Sequence, residues 1–243
     1  MKRNAIAIFL AAFLLIVFAV QCQVPGSTAA LAVRAGEHDA YRFAACLIVH
    51  GSATHVLINS ATLINLLYGF GRRTSAFLIV HALPAALCAV WLYVNSLMPD
   101  RAWLCGASPL IYALFGLIAW QERKTSVFSL FGIRYMSLPP IPMLGIVLLT
   151  DALFSKAFFS FIAWPVHTIA GLGGLITGML LSFKPLRNPR YATAAIFIAA
   201  ALAVLLGSSC RSPLIEINRT GSLISSGIQI NDSANNNEIP LIK

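Results

Sequence analysis

At 243 residues, 58% hydrophobic and only 10% charged, with a mean hydropathy of +0.81, the chain is too apolar for an ordinary soluble domain. Its net charge of +9 does not mark a nucleic-acid binder, because the basic residues fall in small clusters between apolar runs and form no long patch. The five cysteines have no CxxC spacing and no histidine partners at metal-site spacing, so a metal site is not expected, and nothing in the sequence indicates an organic cofactor.

Lys2 and Arg3 precede an apolar stretch from about Ala5 to Val20. A cleaved signal peptide is one reading, but Ala19-Val20-Gln21-Cys22 makes a poor cleavage site, and a first membrane helix is the reading adopted. Polar residues 21–42 form a loop. A second helix runs from about Ala44 to Phe70 with His50, Ser52, Thr54, His55, Asn59 and Asn65 embedded in it, ending at Gly71-Arg72-Arg73. The third runs from about Ser75 to Leu97 and is kinked at Pro84.

Next comes a turn of small residues, Cys105-Gly106-Ala107-Ser108-Pro109, which opens a short fourth helix ending at Gln121. Proline suits the first position of a helix, where its missing N–H costs nothing. This helix is roughly 20 Å long against a hydrocarbon layer about 30 Å thick. If it ends at one membrane face, Ser108 lies inside the bilayer. A polar loop covers residues 121–135, and a fifth helix runs from about Leu138 to Phe154 with Asp151 near its outer end. A sixth helix covers about Phe161 to Phe183, and a seventh about Tyr191 to Gly207.

The expected architecture is therefore all-α and polytopic. Residues 1–43 hold the first helix and an outer loop, and 44–183 the core of helices two to six. Residues 184–207 hold a basic loop and the seventh helix, and 208–243 read as a flexible polar tail rich in Ser, Asn and Ile. With the N-terminus cytoplasmic, Lys2, Arg3, Arg72, Arg73, Arg123, Lys124, Arg134, Lys184, Arg187 and Arg190 all fall on the inner side. Arg34, Arg42, Arg101 and Lys156 fall on the outer side, an asymmetry that follows the positive-inside rule.

Polar groups at membrane depth are costly and usually functional. Counted up from the basic inner end of each helix, His55, Asn59, Ser108 and His167 all lie at heights of about 20–25 Å. Three helices thus bring a serine, two histidines and an asparagine to one layer, and His55 and Asn59 share a helix face. A serine needs a base to become a nucleophile, and a tetrahedral intermediate needs donors aimed at its oxyanion. No carboxylate is counted at this depth, which points to a Ser-His dyad and not to a Ser-His-Asp triad.

The residues resemble those of the rhomboid intramembrane serine proteases over about Ala44 to Phe183. His50-Gly-Ser-Ala-Thr-His55-Val-Leu-Ile-Asn59 is similar to the family's second-helix pattern, and Gly106-Ala-Ser108 to its Gly-x-Ser turn. Tyr112 and Gly116 fit the residues that follow that turn, and His167 with Gly174 fits the sixth-helix signature. The resemblance implies a rhomboid-like six-helix core plus a seventh helix, with Ser108 as nucleophile and His167 as general base. It further implies His55, Asn59 and the Ser108 N–H at the oxyanion, Tyr112 against the His167 ring, and His50 and Gly106 in support. Gly171, Gly174 and Gly178 would let helices four and six approach closely.

Substrates of such an enzyme are expected to be single-pass membrane proteins, met in the lipid bilayer. Two positions depart from the pattern: Pro109 follows the serine and Ala170 lies three after the histidine, each where the family has glycine. An inactive rhomboid-like protein that binds membrane clients is the alternative. A transporter would show intramembrane charges along a pathway or internal repeats, and the sequence has neither.

Each residue also has a bland explanation. A lone serine at a helix start is usually a cap, and His55 with Asn59 could simply join helices by hydrogen bonds. The joint pattern, at one depth and in one order, is what carries the enzymatic reading.

Overall fold

A computed structural model describes residues 5–35, 39–69, 75–98, 102–124, 128–130, 133–136, 139–157 and 163–182. The expected seventh helix, the basic loop before it and the polar tail lie outside the described residues.

The first helix, α1, spans Ala5–Gln23 and so runs one turn further than expected. Ala7, Ala11 and Leu14 are buried while Ile8, Phe9, Ile16 and Val20 are exposed. The buried set repeats at intervals of four and three, a single stripe, and it packs on the helix that follows the outer loop. The expected loop is itself structured. It contains α2 (Ser27–Leu31), β1 (Val33–Arg34) and α3 (Ala40–Ala45). Arg42 holds it together: its guanidinium donates to the Ala29 and Ala32 carbonyls at 3.0 Å each and to Asp39 at 3.2 Å. A basic side chain on carbonyls at a helix end satisfies groups that have no partner within the helix.

The expected second helix divides in two. After α3 the chain passes through residues 46–52 without helix, and α4 begins at Ala53 and ends at Gly69. The cause is local. Gly51 and Ser52 interrupt the helix, and the Ser52 hydroxyl accepts the His55 N–H at 3.2 Å, the work of an N-terminal cap. His50 therefore stands in the connection ahead of α4, not inside the helix as expected.

The third expected helix is α5, Ser75–Ser96, which carries Pro84 within it. Next, β2 (Trp103–Leu104) pairs antiparallel with β1, Leu104 opposite Val33 and Trp103 opposite Arg34. The Arg34 guanidinium sits 3.9 Å over the Trp103 ring, a cation–π contact that fastens this two-residue ribbon.

The short helix α6 covers Ser108–Gln121 with proline in its first turn, as expected. It is apolar on every side, and such a helix belongs in the middle of a bundle. Ala113, Leu114, Leu117 and Ala119 are indeed fully buried. It packs against α4 and α5 and against the two helices that follow. The expected loop after it holds a hairpin, β3 (Phe128–Leu130) paired with β4 (Ile133–Met136). The last two described helices are α7, Pro140–Ala157, and α8, Trp164–Leu180.

Among the described residues the α6–α8 pair makes the most extensive helix–helix contact, and glycine makes it possible. A Cβ on Gly174 would run into the Ala113 carbonyl, and one on Gly116 into the Gly171 carbonyl. Small residues let helix backbones approach in this way where lipid supplies no hydrophobic drive. Gly178 belongs to the same contact, since its Cβ would stand 2.8 Å from that of Trp120. Gly171 contributes differently from the expectation. Its missing side chain faces Leu148 and Leu144 of α7 at ordinary contact distance, and what it offers α6 is backbone. At the far end of the pair, the Trp120 indole donates to the Ser182 hydroxyl at 2.8 Å.

Among the described residues, two helices, α1 and α5, are long and apolar enough to cross a bilayer, and α4, α6 and α7 contain shorter apolar stretches. Ile146, Leu149 and Leu153 of α7 are exposed, a face that suits lipid and not water.

Candidate active site

Everything converges on the first residue of α6. Gly106 turns the chain with φ +122°, a region that residues with a side chain rarely adopt. Its N–H donates to the Cys46 carbonyl at 2.7 Å, tying the turn to the end of α3. The imidazole of His55 lies directly over it: a Cβ on Gly106 would be 2.5 Å from Cε1 and 2.7 Å from Nε2 of that ring. Glycine is required here twice over, by backbone angle and by space.

His50 holds the next residue. The Ala107 N–H donates to His50 Nε2 at 3.3 Å, and Asn59 Nδ2 lies 3.0 Å from the same nitrogen. Since both partners are donors, Nε2 must accept and the proton sits on Nδ1. The His50 backbone is held in turn by Gln21 of α1, which donates to its carbonyl at 3.2 Å and accepts from its N–H at 3.1 Å. His50 and His55 meet edge to face, centroids 5.1 Å apart. Asn59 spends one of its two amide hydrogens on His50 and keeps a second.

On the other side of the serine stands α8. His167 Nε2 is 2.8 Å from Ser108 Oγ, so the hydroxyl can donate to the ring. Tyr112, one turn along α6, stacks on that ring with centroids 4.4 Å apart and planes 7° from parallel. Ser108, Tyr112, His167, His50, His55, Asn59 and Gly106 therefore all meet around the start of α6. The two departures fit the arrangement: Pro109 occupies the first turn of α6, and Ala170 is fully buried. The hydrogen-bonded Ser108–His167 pair is present with both in place.

The structure corrects the expectation that no carboxylate reaches this depth. Asp151 Oδ2 lies 2.6 Å from His167 Nδ1. The reason lies in two helix ends. α7 continues to Ala157, a turn past the expected Phe154, which puts Asp151 about 9 Å down from its end. α8 begins at Trp164, three residues late, which puts His167 in its first turn. Counting from the inner ends alone could not show this. One signal was in the sequence: Asp151 is the sole acidic residue of an apolar helix, and such residues usually serve a function. Gln21 and the Cys46 carbonyl had no such signal, because only tertiary contact gives them a role.

Among the described residues, no group of three or more His, Cys, Asp or Glu side chains could hold a metal ion. The chemistry available is that of a hydroxyl, imidazoles, a carboxylate and amide donors.

The model of the Rhomboid domain family matches residues 37–188 of this chain. The chain belongs to the rhomboid family. Comparison with curated proteins brings no match. Rhomboid proteins are generally intramembrane serine proteases that act on membrane-protein substrates. Together with the apolar helices, this makes the chain a membrane protein built on the rhomboid domain.

Proposed function

We propose that this rhomboid protein is an active serine endopeptidase that cleaves the transmembrane segments of single-pass membrane proteins. The observation that carries the reading is the 2.8 Å approach of His167 Nε2 to Ser108 Oγ, which is within the reach a general base needs. His167 takes the hydroxyl proton as Ser108 Oγ attacks the scissile carbonyl, and later gives it to the leaving amine. Water then attacks the acyl-enzyme, with His167 again the base, and frees the second product. His55, the second amide hydrogen of Asn59 and the Ser108 N–H form the oxyanion site. The chain is multi-pass with a cytoplasmic N-terminus, so the site opens toward the outer side, from which water enters.

The experiment is labelling of the intact protein in detergent by a serine-directed fluorophosphonate, together with cleavage of a reporter transmembrane substrate in liposomes. Wild type is expected to label and cleave, and Ser108→Ala to do neither. A folded wild type that does neither overturns the proposal and leaves the client-binding reading in its place.

Gly106→Ala is expected to lower the labelling rate by about 100-fold or more. The new methyl must displace the His55 ring or the turn itself, and a shift near 1 Å in a catalytic group costs on the order of 100-fold. Comparing the labelling rate constants of the two proteins checks this.

A further inference from the structure

We infer that Asp151 is a positioning residue that turns the Ser108–His167 pair into a three-residue chain, and this inference rests on the enzymatic reading above. An ionised carboxylate is expensive in a bilayer interior unless it is paired. Asp151 is paired with one group that matters to the reaction, His167, at 2.6 Å, slightly shorter than the usual charge-assisted N–H···O bond. Both side chains are largely removed from solvent, 13% and 10% exposed.

Three constraints then act on one imidazole from two neighbouring helices. Tyr112 of α6 stacks on the face of the ring and sets its plane. Asp151 of α7 accepts from Nδ1, which fixes the proton on that nitrogen. Nε2 is left as an acceptor aimed at Ser108 of α6. When His167 takes the serine proton, the imidazolium forms next to a negative charge already in place, which stabilises it without Asp151 itself gaining a proton. The carboxylate touches no substrate atom. It acts only through His167.

The test uses full-length protein in liposomes and compares Asp151→Asn, Asp151→Ala and Asp151→Glu by kcat, KM and fluorophosphonate labelling. Asn is expected to lower kcat by roughly 100- to 10,000-fold, with KM within a few-fold of wild type. Asn is also expected to do no better than Ala despite filling the space. Its amide can donate to Nδ1, which would place the ring proton on Nε2, where it blocks acceptance from Ser108. Glu, which keeps the charge, is expected to recover part of the loss. The far-downfield proton signal of a carboxylate-bonded imidazole should appear in wild type and vanish in both Asp151→Asn and His167→Ala. If wild type is active and Asn retains its kcat, this role is overturned while the proposed function stands. A purely structural role would show as lower stability with unchanged kcat in the folded fraction, and that result overturns it too. An inert wild type removes the proposed function and this role together.

Discussion

Ser108→Ala and His167→Ala are each expected to lose roughly three to six powers of ten in kcat, the range seen when one member of a hydrolytic Ser-His pair is removed. The two variants should nevertheless differ in stability. Ser108→Ala deletes one oxygen at the start of α6 and gives up one hydrogen bond, to His167 Nε2, a change of about 1 kcal/mol. His167→Ala also empties the space under Tyr112 and strips Asp151 of the ring it bonds. Leaving one member of a buried charged pair unsatisfied costs about 3–5 kcal/mol. Ser108→Ala should therefore unfold near wild type and His167→Ala well before it, with activity lost in both. Denaturant titration in detergent, with kcat measured on the folded fraction, checks the pattern. Equal activity in Ser108→Ala and wild type would end the case for Ser108 as nucleophile.

The second large effect is on the fold. Gly174→Ala is expected to cost about 3 kcal/mol, the upper end of what overpacking usually does. The added Cβ would meet the Ala113 carbonyl, and a backbone carbonyl cannot step aside as a flexible side chain can. α8 must move away from α6, and His167 moves with it, because it lies on the same helix two turns earlier. Activity should fall with stability, by about 100-fold for a shift near 1 Å. Gly116→Ala should behave alike, since its Cβ would meet the Gly171 carbonyl. Gly145→Ala is the control. Nothing lies within 4 Å of its would-be Cβ, and alanine in a helix interior is favoured over glycine by about 1 kcal/mol. That variant should be as stable as wild type or slightly more so.

Much of the site was legible because membrane proteins write depth into their sequences. Apolar length and basic ends place a residue along the bilayer normal, and this put Ser108, His55, Asn59 and His167 in one layer. Turn chemistry is equally local: Gly106, Ser108 and Pro109 mark a helix start, and α6 begins there. The resemblance then named partners that the structure brings within contact of one another. The break ahead of α4 was less legible, although Gly51-Ser52 is a recognisable interruption once the Ser52 cap is seen. The short ribbon of β1 and β2 could not be read at all, because two-residue strands separated by more than sixty residues carry no periodicity.

The sequence by itself determined the class of the molecule, the apolar stretches that become its helices, the helix start at Ser108 and the family. Those depend on composition, local turn chemistry and rise per residue, all properties of short stretches. Only the tertiary structure decided what stands opposite what. Whether Gly174 meets Ala113, whether Tyr112 covers the His167 ring and whether Asp151 reaches Nδ1 depend on how each helix is rotated about its axis and where it ends. A one-residue change in a helix rotates a side chain by about 100°. The extra turn at the end of α7 and the late start of α8 are what brought Asp151 to His167. A carboxylate that looked remote along the chain thereby came within hydrogen-bond reach of the imidazole that holds Ser108, through a contact that no count along a single helix contains.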